Sequence, residues 1–305
     1  MAQLILQKAQ KIFKPLKVFV YGPTFSGKTL SSLKLAVGVV QAIRNCTEAE
    51  AYEHILLIDT EYGRGALYGK EGLYNYFQIT APYTTTKLID VISQVNLMPE
   101  IDVVIVDSLS HFWIKKGGIL DLKAAADKQG GNSYTNWQEY TAMFNSMIDT
   151  LLESSKHMFF TARAKSDTVL VENEKGKMVP KTFGLKPEIR DGFEYECDIT
   201  LNIDKDTHRI IVEKGIVGMA PSYDIATPEL GKAWYDLHKL DSKVLPRTQE
   251  ELVTSIRSLS QMDRTLIQFV QLKLSGRKLE QLSLEEITAL ESEVIAEFKK
   301  NQVKH

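Results

Sequence analysis

The chain has 305 residues, 44% of them hydrophobic and 25% charged, with a formal net charge of −2. That balance supports a sizeable packed core and excludes wholesale disorder or a globally basic nucleic-acid binder, while a local basic patch stays open. The two cysteines, Cys46 and Cys197, are too few for a disulfide framework, and no apolar run nears the roughly 20 residues that span a bilayer, so a cytoplasmic protein with no membrane partner is expected.

The opening MAQLILQKAQKIFKP scatters charges around a short apolar run, unlike a signal peptide. Lys8, Lys11, Lys14 and Lys17 have no acid among them. A solvated arm is expected there, with a phosphate-binding stripe or a subunit-docking segment as alternatives. KVFVY (17–21) reads as a buried strand and LSSLKLAVGVVQAIRN (30–45) as a helix, with Leu33, Ala36, Val40 and Ile43 near helical spacing. Between them lies GPTFSGKT, the pattern G-x-x-x-x-G-K-T. Strand, glycine loop and helix form the context in which main-chain N–H groups converge on phosphate oxygens at a positive helix end. The expected nucleotide-binding residues are Gly22, Pro23, Thr24, Phe25, Ser26, Gly27, Lys28, Thr29 and Leu30. Lys28 would reach the β- and γ-phosphates of ATP, and the Thr29 hydroxyl would ligate Mg²⁺.

HILLIDTEYGRGAL (54–67) is an apolar strand that ends in Asp59, Thr60 and Glu61 before a Gly-Arg-Gly turn. A carboxylate here would polarise a water attacking the γ-phosphate. Glu61 lies beyond the apolar run and is better placed than Asp59, the alternative being that both cap the next segment. FQITAP (77–82) reads as a strand and TTKLIDVISQVNLM (85–98) as an amphipathic helix. IDVVIVDSLSHF (101–112) holds the β-branched run Val103–Val106 of a strand buried on both faces, with Asp107 at its C-terminal end. Ligands of open α/β sheets gather at such ends, so Asp107 is the expected second Mg²⁺ ligand, in the Walker B role, the alternative being an ordinary loop cap. Residues 133–155 form a helix whose stripe of Trp137, Tyr140, Phe144, Met147, Ile148 and Leu151 reads as core. HMFFTARAK (157–165) is another strand, ending in Thr161, Arg163 and Lys165.

Strands alternating with helices predict a parallel sheet covered on both faces. The rhythm then changes: TVLVENEKGKMVPKTF and CDITLNIDKDTHRIIVEKG each read as an antiparallel hairpin. Pro221, Pro228 and Pro246 mark a transition, after which Thr248 with Glu251 and Ser283 with Glu286 signal helix starts, and Gly276 a stop. These helices make a bundle of about sixty residues, marginal alone and expected to dock on something. Their balanced charge fits a protein contact better than a DNA clamp.

GPTFSGKT, IDTEYGR, VVIVDS, FFTARAK and the hairpin-rich stretch together resemble the RecA-like P-loop ATPases. More narrowly they resemble the phage and prophage ATPases of the Sak recombinase type, over roughly residues 10 to 235. The resemblance implies an α/β fold: a RecA-like core over 1–240, with a mostly parallel sheet flanked by helices and a hairpin extension, then a helical domain over 246–305. It implies Mg²⁺-dependent ATP hydrolysis with Glu61 activating water, coupled to single-stranded DNA binding, annealing or strand exchange in a bacterial cytoplasm. It implies homo-oligomers, as rings or filaments, and a single-strand-binding or recombination partner for the C-terminal helices. DNA would meet two loops. Residues 110–132 offer Lys115 and Lys116 beside Phe112 and Trp113, and residues 166–193 offer Lys175, Lys177 and Lys181. Charged loops and core aromatics are the plainer alternative for both.

VEKGIVG (212–218) has Lys214, but Ile216 stands where related proteins carry an arginine that reaches a neighbour's γ-phosphate. A group acting in trans would then be Lys214, Arg209 or Arg163, or hydrolysis is slow. The main rival reading is a P-loop nucleotide switch acting on a protein partner, with little DNA affinity. A small-molecule kinase is disfavoured for want of an arginine-rich lid.

Overall fold

The apolar β-branched and aromatic runs become strands buried on both faces. In the computed structural model, which describes residues 13–130, 133–172, 178–239, 249–263 and 265–302, β1 is Lys17–Gly22, β2 Ile55–Asp59, β3 Asn75–Gln78 and β4 Val103–Asp107. They are followed by β5 His157–Glu172, β6 Met178–Pro187, β7 Ile199–Ile203, β8 Ile210–Lys214 and β9 Ser222–Tyr223. The strand order is β3-β2-β4-β5-β1-β7-β8-β9, with β6 paired to β5 alone. From β3 to β7 every neighbouring pair is parallel, and β8 and β9 add antiparallel edges. Every residue of β1, β2 and β4 is buried, as expected for a sheet with both faces covered.

The helices of this unit are α1 Lys28–Arg44, α2 Glu48–Tyr52, α3 Thr85–Val95, α4 Ser110–Ile114, α5 Ile119–Gln129, α6 Ser133–Glu153, α7 Phe193–Glu196 and α8 Pro228–Lys239. Both hairpins form, β5–β6 and β7–β8. The expected TARAK strand and the first hairpin strand prove to be one 16-residue strand, β5. Ser166 and Asp167, between the two expected strands, are paired with Leu185 and Gly184 of β6, and a register shift follows at Asp167/Thr168, where β6 carries one extra residue. The Pro228 expected to mark an irregular transition opens α8. At the first helical position a proline loses no hydrogen bond, and Thr227 Oγ1 accepts from Leu230 N at 3.2 Å. Lys17 is corrected too: it is 5% exposed, its ammonium donating to Ser154 O and Lys156 O at 2.8 Å each, so it is no part of a solvated arm. Burial lowers its pKa to about 7, against the opposing pull of Asp198. Lys14 is exposed, and Lys8 and Lys11 lie outside the described residues.

A second unit holds α9 Gln249–Met262, α10 Thr265–Leu274 and α11 Leu284–Gln302 around Leu252, Ile256, Leu259, Leu266, Ile287, Leu290 and Val294. The Ser283 capping box is present: Glu286 N donates to Ser283 Oγ at 3.2 Å and Ser283 N to Glu286 Oε2 at 2.8 Å. Gly276 sits past α10 at φ +88°, and Thr248 falls outside the described residues. Among the described residues no helix is long and apolar enough to cross a membrane.

α1 and α8 pack backbone to backbone. A Cβ on Gly38 would fall 1.8 Å from Pro228 O, and one on Gly231 2.1 Å from Leu35 O. Glycine to alanine in a helix normally stabilises by about 1 kcal/mol. Here the obstacle is a main-chain carbonyl that no rotamer change can clear, so the sign reverses. Gly38→Ala is expected to destabilise the protein by about 1–3 kcal/mol, seen as a lower unfolding midpoint in urea. A midpoint at or above wild type would contradict the close approach.

Candidate functional site

Parallel register sets the ends of β1, β2 and β4 beside the middle of β5: Gly22 pairs with Arg163, and Asp59 with Asp107. The site is built on those ends, as open α/β sheets require. From Gly22 the chain turns through Phe25 (φ +66°) and Gly27 (φ +91°) into α1. The first helical carbonyl bond is Ser31 N to Gly27 O at 2.9 Å, and no side chain caps the end. The N–H groups of Lys28, Thr29 and Leu30 therefore have no partner within the helix and form an anion-binding terminus. Lys28 Nζ folds back over the loop, donating to Gly22 O at 3.0 Å and Pro23 O at 2.7 Å. Burial lowers its pKa, and Asp107 opposes that shift.

Thr29 Oγ1 donates to Asp107 Oδ2 at 2.5 Å, and Thr161 Oγ1 donates to Asp107 Oδ1. Burial raises the Asp107 pKa while the two hydroxyls resist it. The pair Thr29 and Asp107 offers hard oxygen ligands only. One carboxylate and one hydroxyl, completed by phosphate oxygens and water, is a donor set suited to Mg²⁺.

Glu61 faces this pair across the cavity, held by a fork: Arg163 Nε donates to Oε1 at 2.9 Å and Nη2 to Oε2 at 2.6 Å. His111 Nε2 stands 3.4 Å from Oε1. Burial works to raise the Glu61 pKa, but the Arg163 hydrogen bonds, with the His111 charge, leave it below the usual carboxylate range. Asp59, the other acid of this segment, is fully buried and faces the main chain. Its carboxylate accepts from Glu61 N, from Gly65 N at 3.0 Å and from Tyr76 OH at 2.7 Å. It clamps the turn that carries Glu61.

These groups enclose a cavity of about 220 Å³, lined by Thr24, Phe25, Gly27, Lys28, Thr29, Glu61, Arg64, Leu67, Tyr68, Asp107 and Arg163. Arg64, Leu67, Tyr68 and Thr161 were not among the expected site residues. Arg64 stood in plain view in the Gly-Arg-Gly turn. Leu67 and Tyr68 sit on a 3₁₀ turn, Arg64–Lys70, too short to show a periodicity.

Of the three candidates for a reaching cation, only Arg163 lines the cavity, and it belongs to the same chain. Lys214 donates to Tyr195 O and Cys197 O at 2.6 Å each, at the end of α7, and Arg209 lies 3.8 Å from Asp224. The segment 110–132 is not the expected loop, since α4 and α5 occupy most of it. Phe112 is fully buried and cannot stack on a base, while Trp113 packs on Trp137 and Phe144 with ring centroids at 6.2 and 5.2 Å. Lys115 is half-buried and Lys116 exposed. Lys181 lies on β6 opposite Val169, and Lys175 and Lys177 fall outside the described residues.

A glycine loop between a buried strand and a helix end, with the acid strand β4 separated from β1 by the inserted β5, defines a P-loop protein of the RecA-like α/β class. The family model described as an AAA domain (AAA_24) matches residues 14–229, and the chain belongs to that family. Among solved structures, the KaiC-like protein PH0186 of Pyrococcus horikoshii OT3 is similar over 70% of this chain and 87% of its own, at 15% identity and a TM-score of 0.35. The flagellar accessory protein FlaH of Methanocaldococcus jannaschii is similar over 69% and 84%, at 13% identity and a TM-score of 0.34. No curated protein matches the chain by sequence.

The Asp59 clamp is testable without any ligand. Asp59→Asn keeps one acceptor oxygen and turns the other position into a donor facing donors. The expected loss is about 1–3 kcal/mol, read as a lower thermal midpoint of the nucleotide-free protein. An unchanged midpoint would show that the turn holds itself.

Proposed function

We propose that this protein is an ATPase acting on single-stranded DNA in phage-type recombination, annealing or replication. The observation that carries the ATPase part is the convergence, in one cavity, of Lys28, the Thr29–Asp107 pair and the carboxylate of Glu61. In this reading the triphosphate lies along the start of α1, with Lys28 leaving the loop carbonyls for the β- and γ-phosphates. Tyr68 and Leu67 supply an apolar wall for the base. Thr29 and Asp107 would hold Mg²⁺, which when bound neutralises phosphate charge. Glu61 orients a water and takes its proton. The water oxygen bonds to the γ-phosphorus, the bond to the β,γ-bridging oxygen breaks, and ADP departs with that electron pair, leaving inorganic phosphate. Because Arg163 keeps the Glu61 pKa low, Glu61 is a weak base, which fits slow turnover.

Glu61→Gln is expected to bind MgATP while losing about a hundredfold or more of the hydrolysis rate, and Lys28→Ala to lose binding itself. Titration calorimetry and a phosphate-release assay separate the two effects. Hydrolysis at the wild-type rate in Glu61→Gln would remove the assignment of the base.

For DNA, the exposed Lys116 and its neighbour Lys115 support contacts to backbone phosphates. The burial of Phe112 leaves less for base stacking than expected. The proposal includes homo-oligomers, as rings or filaments, and a recombination or single-strand-binding partner for α9–α11, in the cytoplasm of a bacterial host. Its rival, a nucleotide switch for a protein partner, draws on the exposed apolar side chains Val217 (94%) and Leu73 (82%). Fluorescence anisotropy with a single-stranded oligonucleotide decides between them. Binding in MgATP should weaken steeply with salt, by a log–log slope of about −0.7 for each phosphate contacted. No binding in MgATP at low salt would favour the protein switch.

A further inference from the structure

Lys28, Arg64 and Arg163 are the cationic side chains that line the cavity, and two of them are engaged. Lys28 is held by loop carbonyls and Arg163 by both oxygens of Glu61. Arg64 has neither a hydrogen bond nor an ion pair from its guanidinium among the described residues. Its guanidinium carbon lies 6.0 Å from the ring centroid of Phe25, in the phosphate loop. Its charge is close enough to Glu61 to help hold that carboxyl down.

The main chain fixes where Arg64 starts from. Tyr62 (φ +60°) and Gly63 (φ +86°) turn the chain sharply after Glu61, and Arg64 N donates to Glu61 O at 3.3 Å. Asp59 takes the N–H groups of both Glu61 and Gly65, so one buried carboxylate ties down each end of the turn. Gly65 is seated against β2, where a Cβ would fall 2.5 Å from Leu57. The backbone of Arg64 is thus as rigidly placed as that of Glu61, while its side chain is exposed and uncommitted. A guanidinium is charged at any working pH and presents five donors suited to phosphate oxygens.

We infer that Arg64 is a catalytic residue acting in cis: it reaches the γ-phosphoryl group during transfer and takes up charge on its oxygens. This rests on the ATPase reading and adds to it the group missing from 212–218. Arg64 lines the cavity of its own chain, so in this inference the reaching cation comes from the chain that binds the nucleotide. On this inference the site is complete without a neighbouring subunit.

The test compares wild type with Arg64→Ala. MgADP affinity should stay within about threefold, reporting an intact fold and loop. The rate of phosphate release at saturating MgATP should fall about a hundredfold or more. Wild type should bind MgADP with aluminium fluoride, which mimics the phosphoryl group in flight, at least about tenfold tighter than MgADP alone, and Arg64→Ala should lose that preference. Excess Lys28→Ala chain, which retains Arg64, should not restore hydrolysis to Arg64→Ala. Hydrolysis within threefold of wild type, retention of the aluminium fluoride preference in Arg64→Ala or its absence from wild type, or rescue by the Lys28→Ala chain would each overturn the inference. A wild-type protein that binds no MgATP would instead sink the ATPase reading, and this inference with it.

Discussion

A carboxylate buried at Asp107 is the constraint around which the core is arranged. Burial alone would drive it toward the neutral acid, useless as a cation ligand. The hydroxyls of Thr29 and Thr161 counter this, and each comes from a different element: the first turn of α1 and the middle of β5. To bring them within reach, β5 must lie beside β4 and the loop strand beside β5, which is the observed order β4-β5-β1. The inserted strand thus supplies one of the two hydroxyls that Asp107 accepts from. Without Thr161 the acid would have one hydroxyl where it has two.

The site was legible where chemistry and local pattern coincide. Gly22, Gly27, Lys28 and Thr29 sit in a strand–turn–helix context that can be read from residue types alone. Asp107 ends an uninterrupted β-branched run, so its place at the sheet's carboxyl edge follows from strand geometry. Choosing Glu61 over Asp59 as the acid that faces the cavity used the same logic, and the two carboxylates do point to different surroundings. Arg163 was legible as a residue of the strand beginning at His157, which runs on past it, but not as a partner of Glu61. That pairing needs β5 to lie next to β4, and sheet order is a long-range property that spacing along the chain does not contain.

Other parts were hidden for local reasons. Four lysines with no acid among them suggested a solvated arm, yet Lys17 is already inside β1, where carbonyls just past α6 receive its ammonium. Polar residues separated the two expected strands, but their pairing with β6 lets β5 run on. Proline suggested irregular chain at 228, although a helix start is the one helical position that suits it. In each case composition was read correctly, and a single tertiary contact or a single position within an element reversed its meaning.

β5 also bears on how nucleotide and DNA would be connected. It carries Thr161 and Arg163 into the cavity and then continues to Glu172, nine residues or about 30 Å further at the usual strand rise, paired with the strand that holds Lys181. The proposed DNA-facing hairpin is therefore a covalent continuation of a strand whose Arg163 holds Glu61, the proposed base. Continuity by itself moves nothing, because a ligand shifts an equilibrium only by binding two states unequally. The group that can supply such a difference is Arg163, whose guanidinium is shared between an anion already present, Glu61, and one that arrives with the nucleotide. If the γ-phosphate draws it away, β5 changes partners at Arg163 and Glu61 regains basicity in the same event. Hydrolysis and any signal sent along β5 would then depend on one ion pair, in which the carboxylate proposed to take a proton is held by an arginine at rest.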